Sequence, residues 1–230
     1  MALWAVVPVK ELDRAKERLA SRLSSELRRA LMLAMLEDVL AALAITPGIA
    51  GILAVTVDPA ARRLAMNYGC RITETGARDG HTGAVAAAAR LLAWEGQPSM
   101  LTVPGDIPLI TPAEITQLLA AHRPEPAFTI APARDELGSN AVICSPPDVV
   151  PLRFGENSFF PHLEAAKACG IRPTVVRLPG IALDVDTPED LAAFARLPSP
   201  TRARALLAAY DLLDLRENSA VPIGGHWDEY

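Results

Sequence analysis

"SMLTVPGDIPLITPAEITQLLAAH", residues 99–122, holds the fold in miniature. A short apolar run ends at Gly105-Asp106, a turn of Ile and Leu follows, and Thr111 then opens a helical pattern. Thr111 is a natural N-cap, Pro112 suits the first helical position, and Glu114 stands where a capping box needs its acid. Strand, aspartate, Thr-Pro and helix follow one another, and "ALDVDTPEDL" at 182–191 repeats the order. In the repeat the apolar run reads as a strand, so Asp184 and Asp186 would point to one face. Like charges that close repel unless a cation or a structural role compensates. One reading makes Asp186 or Thr187 a helix cap, with Pro188 in the first turn and Asp190 closing a capping box. The other makes the aspartates ligands of a divalent metal.

Outward from these segments the same alternation continues. Runs rich in Val, Ile and Leu read as strands at 3–9, 51–57, 70–74, 99–105, 127–133, 140–145 and 174–178, with longer helical patterns between them. Leu27, Leu31, Leu36, Leu40 and Leu43 mark one helical face that stops at Thr46-Pro47-Gly48, and an alanine-rich helix follows Gly83. Such alternation is the mark of an α/β fold with a mainly parallel sheet flanked by helices. Ligands in such folds gather beyond the carboxyl ends of the strands, which gives the acidic strand ends their interest. Residues 1–215 read as one domain. The last stretch, 216–230, has little periodicity and reads as a tail, either mobile or packed on a partner.

With 230 residues, half of them hydrophobic, the chain can bury one substantial core. A net charge of -5 argues against affinity built on neutralising a nucleic-acid backbone. Cys70, Cys144 and Cys169 are odd in number and widely spaced, which suggests reduced, mostly buried thiols rather than a disulfide framework or a zinc site. Neither the opening ten residues nor the Leu-rich run near 31–45 has the length and flanks of a signal peptide or a membrane span, so a cytoplasmic protein without membrane attachment is expected.

Several segments can carry chemistry. "VPVKELDRAKERLA" gathers Lys10, Arg14, Lys16 and Arg18 after Pro8 at the exit of the first strand, a place suited to a phosphate-bearing ligand. The same charges, laced with Glu11, Asp13 and Glu17, also describe a solvated helix. Asp106 sits at a glycine turn where a carboxylate needs a cation or backbone donors, and with Asp184 and Asp186 it would suit the oxygen shell of magnesium. "GSNAVI" and "FGENSFF" place Ser139, Asn140, Gly155 and Ser158 at turns able to present donors to an anion, although Asn157 or Ser158 also reads as a simple helix cap. "GARDGHTGA" brings Gly80 and Thr82 to a helix start without a Walker lysine or a dinucleotide fingerprint. His162 reads as a packed histidine rather than a base.

Taken in order over roughly residues 3 to 195, these motifs resemble the guanylyltransferases of deazaflavin coenzyme F-420 biosynthesis, which activate 2-phospholactate, phosphoenolpyruvate or 3-phosphoglycerate with GTP. "VPVK" and "AKERL" match that family's opening, "GDIPLI" and "LDVDTPEDL" its acidic turns. Gly138-Ser139-Asn140 stands for its Gly-Thr-Asn turn, and Phe154–Phe159 for its Phe-Gly-x-x-Ser-Phe turn. The resemblance implies a single-domain, glycosyltransferase-A-like (Rossmann-like) nucleotidyltransferase fold with a mixed central sheet. It implies catalytic roles for Lys10, Lys16 and Asp106, and magnesium at Asp106, Asp184 and Asp186. Pro8, Lys10, Lys16, Arg18, Gly80 and Thr82 are implied around the nucleotide, and Ser139, Asn140, Gly155 and Ser158 around the acid. Thr82 replaces the asparagine of a usual Gly-Leu-Asn-x-Ala. The expected partners are GTP and the phospho-acid, a second copy in a homodimer, and a downstream transferase that takes the product. The rivals are a molybdopterin or sugar-phosphate nucleotidyltransferase of the same fold, a catalytically silent nucleotide-binding regulator, and an interaction module built on the tail. The molybdopterin and sugar-phosphate enzymes commonly carry a Gly-rich loop after the first strand, where this chain reads "VPVKELDRAKERL".

Overall fold

Leu3–Pro8 forms β1, an almost fully buried strand that takes β2 (Ile49–Val55) on one side and β4 (Met100–Thr102) on the other, both parallel to it. The computed structural model describes residues 3–155 and 157–213. β3 (Arg71–Thr73) extends the sheet beyond β2, while β6 (Ser139–Ser145), β5 (Ala127–Pro132) and β7 (Thr174–Val175) extend it beyond β4. The order is β3-β2-β1-β4-β6-β5-β7, and β6 is antiparallel to both its neighbours. Seven of the eight strand expectations have counterparts, and the sheet is mixed and mainly parallel. β5 and β6 are buried along their whole length, which is why they read as continuous apolar runs.

Helices cover both faces. α1 (Ser25–Ala44) is capped by Ser24, whose hydroxyl accepts from the Leu27 N–H at 3.3 Å, and buries Leu31, Leu36, Leu40 and Leu43 as their spacing predicts. It stops where Thr46 Oγ1 donates to the Ala42 carbonyl at 2.6 Å and Gly48 takes a left-handed φ of +96°. α2 (Pro59–Asn67) and α4 (Pro112–Ala121) pack on the same side of the sheet as α1, and α3 (Gly80–Trp94) covers the opposite face. α5 (Phe159–Ala168) precedes β7. A single turn α6 (Pro179–Ala182) is followed by α7 (Pro188–Arg196) and α8 (Arg202–Ala209). Buried Asp38 of α1 accepts the Arg202 and Ala203 N–H groups at 2.8 and 3.0 Å, anchoring the start of α8.

Three local expectations are corrected. The run at 183–185 is not a strand, because Pro179 starts a helical turn just before it. Its tie to the neighbouring turn is the Val185 N–H donated to the Asp106 carbonyl at 3.0 Å. α3 starts at Gly80, three residues before Gly83. Thr111 caps α4, but Glu114 turns away from the capping box to accept the Gly180 N–H at 2.7 Å and so secures α6. Cys70 and Cys144 are buried and Cys169 is exposed, in line with the expectation of mostly buried thiols. The expected tail, 216–230, lies outside the described residues. Among the described residues no helix is long and apolar enough to cross a membrane.

Candidate active site

The parallel strands deliver their exits to one edge of the sheet: Lys10 after β1, Asp58 after β2 and Asp106 after β4. β6 runs the other way, so its first residues, Ser139 and Asn140, reach that same edge. Between these segments lies a cleft of about 1240 Å³.

The loop after β1 is fixed from several sides. Leu12, Leu19 and Leu23 are buried beneath it, the Leu12 N–H donates to Asp58 Oδ2 at 3.0 Å, and Arg28 of α1 donates to the Ala15 carbonyl at 3.2 Å. Two short 3-10 turns, Leu12–Arg14 and Glu17–Leu19, flank Lys16, which adopts a left-handed φ of +53°. A non-glycine residue held there is strained and persists because its surroundings over-determine it. The result is an ammonium at 2.5 Å from Asp106 Oδ2 and 2.8 Å from Asp186 Oδ1, on a side chain only 4% exposed. Burial disfavours that charge, but attraction to Asp106 and then Asp186 outweighs it and raises the Lys16 pKa.

The two readings of the acidic pair are now separable. Thr187 caps α7, accepting from the Asp190 N–H at 3.2 Å, and Asp190 closes the box by accepting the Thr187 N–H at 3.0 Å. Asp186 is not the cap and turns its carboxylate to Lys16, with Arg18 at 3.7 Å. Burial would raise the Asp186 pKa, yet the Lys16 ammonium brings it below the usual carboxylate value. Asp184 is raised, first by burial and also by the charge of Asp106, although Asn140 Nδ2 donates to its Oδ1 at 3.0 Å.

Among the described residues no three His, Cys, Asp or Glu side chains close around one point in the manner of a finished metal site. The donor chemistry nonetheless fits a hard divalent cation, since two carboxylates already converge on one positive group and Asp184 stands beside them.

Pro8, Lys10, Gly80, Thr82, Gly155 and Ser158 also line the cleft, and Arg18 lies 3.7 Å from Asp186. Gly80 and Gly155 occupy positive φ values of +72° and +141°, conformations that L side chains rarely adopt. Thr82 Oγ1 accepts the Phe154 N–H at 2.9 Å and donates to the Phe154 carbonyl at 3.2 Å, tying α3 to the turn before α5. Asn140 Nδ2 also reaches the Ile181 and Ala182 carbonyls. Ser158 precedes α5 without capping it, because its hydroxyl donates to Ser139 Oγ at 3.1 Å.

Sequence reasoning passed over Asp58, His81 and the partners of His162. Asp58 was signalled by Val57-Asp58-Pro59, a third aspartate before a proline-started helix. His162 is 1% exposed, bonded to Ser139 Oγ and to the Arg153 N–H, each at 2.9 Å. His81 packs on Phe154 with ring centroids 4.4 Å apart.

His162 and His122 give the fold a defined acid sensitivity. His122 sits between Thr129 Oγ1 and Ser145 Oγ, each at 2.8 Å. Burial lowers both imidazoles from 6.5 to about 4, with His81 adding to the effect at His162. Because the folded pKa values lie below the unfolded ones, their contribution is complete above 6.5 and is lost as pH falls towards 4. The expected slope approaches about 4 kcal/mol per pH unit within that window, since burial lowers His81 to about 4 as well and the unfolded chain takes up three extra protons. Urea midpoints at several pH values measure it, and His122→Gln should remove about a third of the slope.

Residues 3–212 match the family described as "Guanylyl transferase CofC like". A phosphoenolpyruvate guanylyltransferase of Conexibacter woesei is 35% identical over 206 residues, covering 89% of this chain and 92% of its own. A 3-phospho-D-glycerate guanylyltransferase of Colwellia psychrerythraea is also 35% identical, over 198 residues, covering 85% and 92%. The solved structure of a 4-diphosphocytidyl-2C-methyl-D-erythritol synthase superimposes with a TM-score of 0.59 at 13% identity, covering 90% of this chain and 99% of that one, a likeness of fold.

Proposed function

Since the chain belongs to the CofC-like guanylyl transferase family, we propose that it transfers GMP from GTP to a small phosphorylated three-carbon acid, with magnesium, and releases pyrophosphate. The chain is a nucleotidyltransferase, and its relatives at equal identity are named for different acids, so overall similarity does not select one. The observation that carries the reading is Lys16, buried between Asp106 and Asp186 in the cleft that also holds the Ser139–Ser158 hydroxyl pair.

In the proposed reaction a phosphate oxygen of the acid forms a bond to the α-phosphorus of GTP, while the bond to the bridging oxygen breaks and pyrophosphate leaves with its electron pair. That nucleophile is already ionised at neutral pH, so no general base is required. The difficulty is to align two mutually repelling anions and neutralise charge in the transition state. Lys10 and Lys16 face the phosphates in this reading, and the start of α3 at Gly80 offers backbone N–H groups to them. Ser139, Ser158 and the Gly155 turn receive the acid. Asn140 holds Asp184 in position, and Thr82 acts through Phe154, since its hydroxyl is engaged there. Asp106, Asp184 and Asp186 would hold the metal, which supplies Lewis-acid charge neutralisation at phosphate oxygens. The same reading has the enzyme working in the cytoplasm as a homodimer, passing its product to a downstream transferase of coenzyme F-420 biosynthesis.

Pyrophosphate release with GTP, ATP and CTP in turn tests the nucleotide. GTP should support turnover about tenfold or more above the others, the factor expected of one or two hydrogen bonds to the base. Equal turnover with ATP would overturn the guanylyl assignment and leave the fold untouched.

A further inference from the structure

We infer that His162 is a positioning residue for the acceptor acid: it turns the Ser139 hydroxyl proton into the cleft, where it donates to an anionic oxygen of the acid. The inference rests on the reading that Ser139 faces the acid, and the argument is a count of protons. The Arg153 N–H donates to His162 Nε2 at 2.9 Å, so Nε2 carries the lone pair. In the neutral ring the proton is therefore on Nδ1, which lies 2.9 Å from Ser139 Oγ and donates to it. Ser158 Oγ donates to the same oxygen at 3.1 Å. Both lone pairs of Ser139 Oγ are then filled, and its own proton must go elsewhere. Ser139 lines the cleft, so the remaining direction is the cleft.

The ring is held for this task. It lies edge-on to Phe154 with centroids 5.0 Å apart, and Phe154 is clamped at both its N–H and its carbonyl by Thr82. A hydroxyl without these two donors would be free to rotate and to donate to Ser158, wasting its proton on a protein neighbour. His162 thus touches no substrate itself and acts through Ser139.

Three measurements test this. First, ¹⁵N NMR of the unmutated protein at neutral pH should place the His162 proton on Nδ1, and a proton on Nε2 would overturn the inference. Second, steady-state kinetics with GTP and, in turn, phosphoenolpyruvate, 3-phosphoglycerate and 2-phospholactate should separate the two substrates. His162→Phe keeps the packing but has no donor, and should raise the acid KM about tenfold or more while the GTP KM stays within about twofold. His162→Asn, which offers an amide N–H near the place of Nδ1, should recover most of the loss. Third, in a Ser139→Ala background His162→Phe should add nothing, because the group through which it acts is already gone. An unchanged acid KM in His162→Phe, equal rises in both KM values, or full additivity with Ser139→Ala would each contradict the role. The tautomer measurement decides the point even if His162→Phe does not fold. Absence of turnover with all three acids would count against the proposed function, whereas turnover with the wrong KM pattern counts against His162 alone.

Discussion

Asp186→Asn and Asp184→Asn should each give a folded protein whose pyrophosphate release falls by about a hundredfold to a thousandfold, the range for losing one group that neutralises transition-state charge. Capping and metal binding predict different outcomes here. If the carboxylates served only to start α7, asparagine would be nearly neutral, because it is itself a good N-cap of similar size. The structure assigns the cap to Thr187 and Asp190, whose mutual hydrogen bonds do not involve the carboxylate of Asp184 or Asp186, although the Asp186 backbone N–H donates to Asp190 Oδ2 at 3.4 Å. What the substitutions remove is charge facing Lys16 and Asp106. Magnesium titration followed by thermal unfolding should show weaker stabilisation in both variants. Near-normal turnover and magnesium dependence in both would sink the metal assignment.

Lys16→Met should be at least as damaging to turnover, by about a hundredfold or more, and should also change the protein's response to magnesium. Methionine nearly matches the volume of the lysine stem but leaves Asp106 and Asp186 facing each other without their shared cation. Breaking a buried ion pair by removing one partner costs about 3–5 kcal/mol. Here the carboxylates are 22% and 45% exposed, so screening should reduce the loss to about 1–3 kcal/mol. Added magnesium should then stabilise the variant more than the unmutated protein, because a divalent ion can take over the lost compensation while the phosphate-facing ammonium stays missing. Stability restored by magnesium with turnover still lost separates the catalytic part from the structural part. A variant with unaltered unfolding and near-normal turnover would remove Lys16 from the site.

The strands were legible because each carries its own apolar run, and α1 because its leucines recur on one face. Pairing direction was not, since nothing in "SNAVICS" distinguishes a strand running with its neighbours from one running against them. That direction matters, as it brings Ser139 and Asn140 to the edge that holds Asp106. The segment 183–185 misled because an apolar run carries no record of the helical turn before it, or of Asn140 taking the Ile181 and Ala182 carbonyls. Residue types at the site were readable in order along the chain. Their hydrogen-bond commitments were not, because Thr82 with Phe154, Asn140 with Asp184, and Ser139 with His162 are partners far apart in sequence. Asp58 shows the same limit from the other side: Asp58-Pro59 signals a helix cap that sequence reasoning passed over, but its hold on the Leu12 N–H, and so on the loop bearing Lys16, needed the folded chain.

The most direct test is to incubate the protein with GTP, magnesium and each of the three candidate acids, and to identify the products by mass, with the downstream transferase present to trap a labile one. The account predicts pyrophosphate together with a guanylyl diphospho-acid from at least one of the three, and neither product when the acid is omitted. Tight GTP binding with no pyrophosphate released in any mixture would instead make the cleft a nucleotide-binding site without transferase activity, and would contradict the account.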